Sequence, residues 1–65
     1  MQMRMTYVGE SFRGIGLTNG KTYMVEEANK FCYLVRDDSG EKIFYSKFHP
    51  APFDGSGEGG VWMQA

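Results

Sequence analysis

The sequence predicts a small all-β protein, a barrel of about five antiparallel strands with a short 3₁₀ turn and a glycine-rich C-terminal extension. Two units carry most of this expectation. Leu17-Thr18-Asn19-Gly20-Lys21-Thr22-Tyr23-Met24-Val25 and Tyr33-Leu34-Val35-Arg36-Asp37-Asp38-Ser39-Gly40-Glu41 each set a glycine turn beside a strand-like run. The third observation is negative: no stretch carries helical apolar spacing over a useful length.

Met1 to Val8 alternates, with Met1, Met3, Met5 and Tyr7 on one side and Gln2, Arg4, Thr6 and Val8 on the other. Period two marks a half-buried first strand. Gly9-Glu10-Ser11 ends it, and Phe12-Arg13-Gly14-Ile15-Gly16 reads as a loop. Asn19-Gly20 is a tight-turn dipeptide, because both residues tolerate positive φ. Lys21 to Ala28 follows as the second strand, with Tyr23 and Val25 on one face. Glu27-Ala28-Asn29-Lys30 is polar enough to turn, and Phe31 to Arg36 is a third strand, apolar on both faces as an interior strand is. Asp37-Asp38-Ser39-Gly40 favours a type I turn with Gly40 as the left-handed residue of a bulge. Glu41 to Tyr45 is the fourth strand, and Ser46-Lys47-Phe48-His49 is a single 3₁₀ turn. Pro50 and Pro52 oppose regular pairing. These elements delimit a barrel over residues 1–53 and an extension over 54–65, in which Gly55 to Gly60 is a flexible linker. The fifth strand falls at residues 61–63 or at Pro52-Phe53.

With 65 residues the chain forms one domain. A core this small supplies only about 3–5 kcal/mol without help from a disulfide, a metal or a partner. Cys32 is the single cysteine, which rules out an internal disulfide and fits a reducing, cytoplasmic setting. Cys32 and His49 are too few for a structural zinc site, and no cofactor is expected. Association remains, either self-association into a homo-oligomer or a protein partner. Residues 1–49 hold all seven Lys and Arg against six acids, too even a balance for a nucleic-acid groove, so nucleic acid is the less favoured partner. No apolar run approaches a membrane span and no signal-peptide core is expected.

Three runs invite chemical readings and take structural ones. Asp37 to Glu41 is too short for a calcium loop and reads as a turn. Gly14-Ile15-Gly16 leads into a turn and a strand, not the helix a phosphate cradle requires. Cys32 lies mid-strand among apolar residues, where a packed thiol is the norm. Without a base and its orienter, neither an enzyme nor a small-molecule substrate is expected.

The pattern Tyr7-x-Gly9, Leu17-Thr18-x-Gly20-Lys21-x-Tyr23-x-Val25, Tyr33-x-Val35-x-Asp37-Asp38-Ser39-Gly40-Glu41 and Tyr45-x-x-Phe48 resembles the short SH3-like barrel proteins common in Gram-positive bacteria, their phages and prophages. It spans Tyr7 to Phe48. The resemblance implies an SH3-like barrel that binds along the rim made by the first long loop and the neighbouring hairpin. Its pattern departs at Ser46, where the family has proline, and at the extension from Pro50 to Ala65.

The aromatic residues exceed what one small core encloses. Tyr23 and Tyr33 are core positions, with Phe44 and Phe48 packed below them. Phe12, its neighbour Arg13, Tyr45 and Trp62 are the candidate partner-binding residues, since aromatics and arginine dominate interface hot spots. For Trp62 a place in the core is the competing expectation. The functional expectation is a non-catalytic protein-interaction module, in a phage or mobile element an accessory or inhibitor protein directed at a host protein. The alternative is a KOW- or Tudor-like nucleic-acid-binding barrel.

Overall fold

A computed structural model describes residues 2–65. Five strands form one antiparallel sheet: β1 (Gln2–Gly9), β2 (Thr22–Glu27), β3 (Cys32–Arg36), β4 (Lys42–Ser46) and β5 (Gly60–Gln64). Their order is β4-β3-β2-β1-β5, so four strands run as a meander and the last returns beside the first. β1 pairs with β2 through Gln2–Thr6 and with β5 through Met5–Gly9. No helix occurs among the described residues.

Alternation sorts the sheet into an inner and an outer face. Tyr7, Tyr23, Val25, Val35 and Tyr45 point inward with Leu17 of the first loop and are buried. Met3, Met5, Tyr33, Ile43 and Trp62 pack around them, half-buried. The same parity overturns the placing of Phe44 beneath Tyr23 and Tyr33. Ile43 and Tyr45 occupy the inner face of β4, so Phe44 points outward and is 57% exposed. Phe48 is 68% exposed for a different reason. Ser46 Oγ accepts from the N–H groups of Phe48 and His49, turning the chain away from the core. That serine-capped bend stands where a 3₁₀ turn was expected.

The two glycine turns have different geometries. Gly40 N–H donates to Asp37 O and Asp37 N–H to Glu41 O, with Gly40 at φ 84°, the expected type I turn and bulge. At Asn19-Gly20 only Gly20 takes a positive φ, 82°, and Lys21 N–H donates to Thr18 O. Asn19 serves through its side chain, whose Oδ1 accepts from Gly9 N–H.

The glycine-rich extension, expected as a linker, is tied to the barrel over Glu58 to Gly60. Gly60 N–H donates to Pro50 O, Glu10 N–H to Gly59 O and Glu58 N–H to Glu10 Oε1. A Cβ on Gly60 would lie 2.1 Å from Val8 O and 2.7 Å from Gly9 Cα, so β5 seats against β1 only without a side chain there. Of the two places for a fifth strand, the chain uses the 61–63 region, and Pro52-Phe53 stays in a loop.

The sheet curls without closing. β4 and β5 are its two unpaired edges, and a side chain spans the gap: Trp62 Nε1 donates to Ser46 O at 3.0 Å. The indole meets Tyr7, Tyr23 and Tyr33 edge-on, with centroids 6.0 to 6.3 Å apart. No helix among the described residues is long and apolar enough to cross a membrane.

Gly60→Ala is expected to lower stability by about 2 kcal/mol, since the clash is with backbone that cannot rotate away. Trp62→Phe keeps most of the ring area and loses the bond to Ser46 O, for an expected loss of about 1 kcal/mol. Urea unfolding followed by tyrosine fluorescence or circular dichroism measures both.

Candidate functional site

Two neighbouring constellations lie at the end of the sheet where the first loop meets the β3–β4 turn. One is a polar cluster that fixes the loops, and the other is the groove those loops enclose.

The cluster centres on Asp37 and Asp38. Asp38 accepts from Lys21 Nζ at 2.6 Å, Thr18 Oγ1 at 2.8 Å and Tyr23 OH at 3.0 Å, and its N–H donates to Gly16 O. Tyr23 OH in turn accepts from Thr18 N–H at 2.7 Å. Asp37, buried, accepts from Tyr45 OH at 2.6 Å and from the N–H and Oγ of Ser39. Successive carboxylates therefore reach opposite ways, Asp38 to the first loop and Asp37 to β4. Partial burial works to raise the Asp38 carboxyl, but the bonds from Lys21, Thr18 and Tyr23 prevail and hold it below the usual carboxylate range. Burial first, and then the bond to Asp37, pushes the Tyr45 phenol well above its ordinary value. Tyr23 is raised too, chiefly by burial.

The groove is shallow, about 230 Å³. Phe12, Arg13 and Ile15 form one wall, and Pro52, Phe53, Asp54 and Ser56 the other. Tyr45 is the floor, edge-on to Phe12 at 6.0 Å and stacked on Phe53 at 5.5 Å with the planes 13° apart. Glu10, two residues before the first wall, is bonded to Glu58 and Gly59, which follow the second. Phe12 also lies across Gly16, where an added Cβ would meet its ring at 2.2 Å. Ile15 and Phe53 remain 70% and 77% exposed. Arg13 stands on one lip without an ion pair among the described residues, and Asp54 stands on the other.

The structure thus brings together Phe12, Arg13 and Tyr45 and separates Trp62 from them. Tyr45 does not stand out from the surface as a partner residue would. It is 4% exposed, and it reaches the groove only as its floor, because its hydroxyl must meet Asp37. Trp62 packs half-buried against the core, beside three tyrosine rings and bonded to Ser46 O. Pro52, Phe53 and Ile15 were not singled out for the site. The signal was present at Phe53, an aromatic residue held out of any strand by Pro50 and Pro52. Cys32 is half-buried on β3 opposite Ser46, and His49 is exposed.

Compared with protein-family models, with curated proteins and with solved structures, the chain matches none.

The carboxyl of Asp38 is depressed in the folded chain, so its stabilising bonds are present above the ordinary aspartate pKa of about 3.9 and are lost as pH falls through the lower folded value. Tyr7, Tyr23 and Tyr45 are raised, so their contribution is present below about pH 10 and is lost as pH rises through their folded values. A urea midpoint that is flat near neutrality and falls on both sides is expected, and Asp38→Asn should lower the plateau and shrink the acid fall. Tyr45→Phe leaves a buried carboxylate short of a donor and should cost about 1–3 kcal/mol in the same assay.

Proposed function

We propose that the protein is a non-catalytic interaction module, an SH3-like small barrel that docks on a protein partner through the groove between its first loop and the Pro52–Ser56 loop. The observation that carries this reading is the convergence of Phe12, Arg13 and Tyr45 with Phe53 on one rim feature, built from loops that the Asp38 cluster and Glu10 hold in place. Aromatic and arginine side chains in one preformed concavity are the material of interface hot spots. The groove is small beside the roughly 300–1,000 Å³ of a typical ligand pocket, which favours a protein segment lying across it over an enclosed metabolite. The meander with its last strand returned beside the first supports the SH3-like reading. The resemblance to phage and prophage barrels makes a host protein in the bacterial cytoplasm the partner of choice.

A nucleic-acid role on the same fold has less support. Lys21, Lys42 and Lys47 each pair with a carboxylate, Asp38, Glu26 and Glu27 respectively, so their charge is not free to meet phosphate.

Affinity capture from a host-cell lysate, compared between wild type, Phe53→Ala and Arg13→Glu, tests the groove. At least one protein held by the wild type should be lost from both variants while their circular dichroism is unchanged, and identical captures would refute the assignment. Retention on single-stranded DNA or RNA at low salt, where phosphate contacts are strongest, would favour the alternative.

A further inference from the structure

Asparagine is among the thermolabile residues, and Asn19 is followed by glycine, the neighbour that protects it least. Glycine has no side chain to shield its backbone nitrogen, so that nitrogen can attack the side-chain amide carbon of Asn19. The Gly20 N–H proton goes to base, the Asn19 amide leaves as ammonia, and a cyclic imide closes. Water then opens the ring at either carbonyl, giving aspartate or isoaspartate. Base and water are the only other reactants. The second asparagine, Asn29, precedes Lys30, whose side chain hinders the same attack.

The fold holds each group that this reaction uses. Gly20 N–H donates to Tyr7 O at 2.7 Å, and Tyr7 is fully buried, so the proton points into the protein and away from base. Asn19 Oδ1 accepts from Gly9 N–H at 3.1 Å, and Asn19 N–H donates to Ser11 Oγ at 2.9 Å. The Gly9 bond draws charge from the amide carbon and by itself would favour attack. A nitrogen that keeps its proton does not attack, so the bond to Tyr7 O decides. Asn19 is otherwise exposed to water. We propose that Asn19 is a modification site gated by the first loop, spared while Gly20 is bonded to Tyr7 and converted to aspartate and isoaspartate when the loop lifts. This is independent of what the groove binds. The two products differ in effect. Aspartate keeps an oxygen for Gly9 N–H. Isoaspartate routes the main chain through the side-chain carbon and lengthens the turn, which breaks the bonds of Gly20 to Tyr7 and of Lys21 to Thr18. A transient opening is thereby made permanent in the loop that carries Phe12, Arg13 and Ile15.

Incubation of the full chain at mildly alkaline pH, folded and in guanidinium chloride, is the test, with mass spectrometry of its peptides to follow Asn19 and Asn29 separately. In guanidinium chloride Asn19 should convert ahead of Asn29. In the folded chain Asn19 should convert at least about tenfold more slowly than in the unfolded one, because the reaction then waits on local opening. Ser11→Ala removes a bond that holds Asn19 and should speed conversion in the folded chain about threefold or more, with unchanged circular dichroism and with faster hydrogen exchange at the Gly20 amide. Phe48→Ala, at an exposed position, should leave the rate unchanged. The chain isolated with isoaspartate at position 19 should have a lower urea midpoint than the wild type, and Asn19→Asp should retain most of it. Equal rates in the folded and unfolded chains, a folded-state rate indifferent to Ser11→Ala, or an isoaspartate form as stable as the wild type would each overturn the proposal.

Discussion

The carboxylate of Asp38 is the contact on which the rest of this small structure leans. It receives Thr18, Lys21 and Tyr23, all from the first turn-and-strand unit, while Asp38 itself belongs to the second. Its neighbour Asp37 holds the phenol of Tyr45 on β4. Two residues thus join the first loop, β2, the β3–β4 turn and β4 at one end of the sheet. Charge-assisted bonds are the stronger class, and partial burial spares them the screening a surface pair would suffer. Lys21 is the exposed member and contributes least by charge alone. The hydroxyls of Thr18, Tyr23 and Tyr45 make the geometry specific, because each has few directions in which to donate.

The opposite problem, keeping a five-stranded sheet curled with no backbone ladder between its edges, is met by Trp62. Its ring reaches across the inner face to Tyr23 and Tyr33, and its indole nitrogen ends on the last residue of β4. That reach requires β5 to sit tightly against β1, which in turn requires Gly60 against Val8 and Gly9. The glycine-rich strap and the tryptophan are one device. Backbone approach sets the depth of β5, and the side chain fastens it.

What was legible in the sequence was whatever depends on near neighbours. Alternation of Met3, Met5 and Tyr7, the turn chemistry of Asp37 to Gly40, and the inward pair Tyr23 and Val25 all follow from two or three adjacent residues. Phe44 was misplaced where a strict parity count from Tyr45 would have turned it outward. The rest was hidden because it joins residues far apart. Asp37 and Asp38 read as ordinary turn formers, and nothing local shows that their side chains reach Thr18 and Tyr45. Gly55 to Gly60 has the composition of a flexible tether, and only the contact of Gly60 with β1 shows that its missing side chain makes room for packing. Of the groove, Phe12, Arg13 and Tyr45 were visible as residue types, but Phe53 joins them through a loop whose path the prolines bend without specifying where it lands.

Scarcity of core explains why structure and candidate site overlap at Tyr45. A chain of 65 residues cannot set aside separate aromatic rings for packing and for recognition. Tyr45 presents one side of its ring to Phe12 and the core, stacks Phe53 on another, and uses its hydroxyl to hold Asp37. Its contacts hold it as the floor, so under the proposed docking the groove would not have to be ordered on binding, and less of the binding energy would be lost to immobilising it. Phe53 and Ile15, exposed on the rim above, are the residues that the proposed docking would bury. The division is physical. Side chains that the two aspartates and the inner face hold provide shape, and those that no strand or hydrogen bond claims provide the surface that recognition can cover.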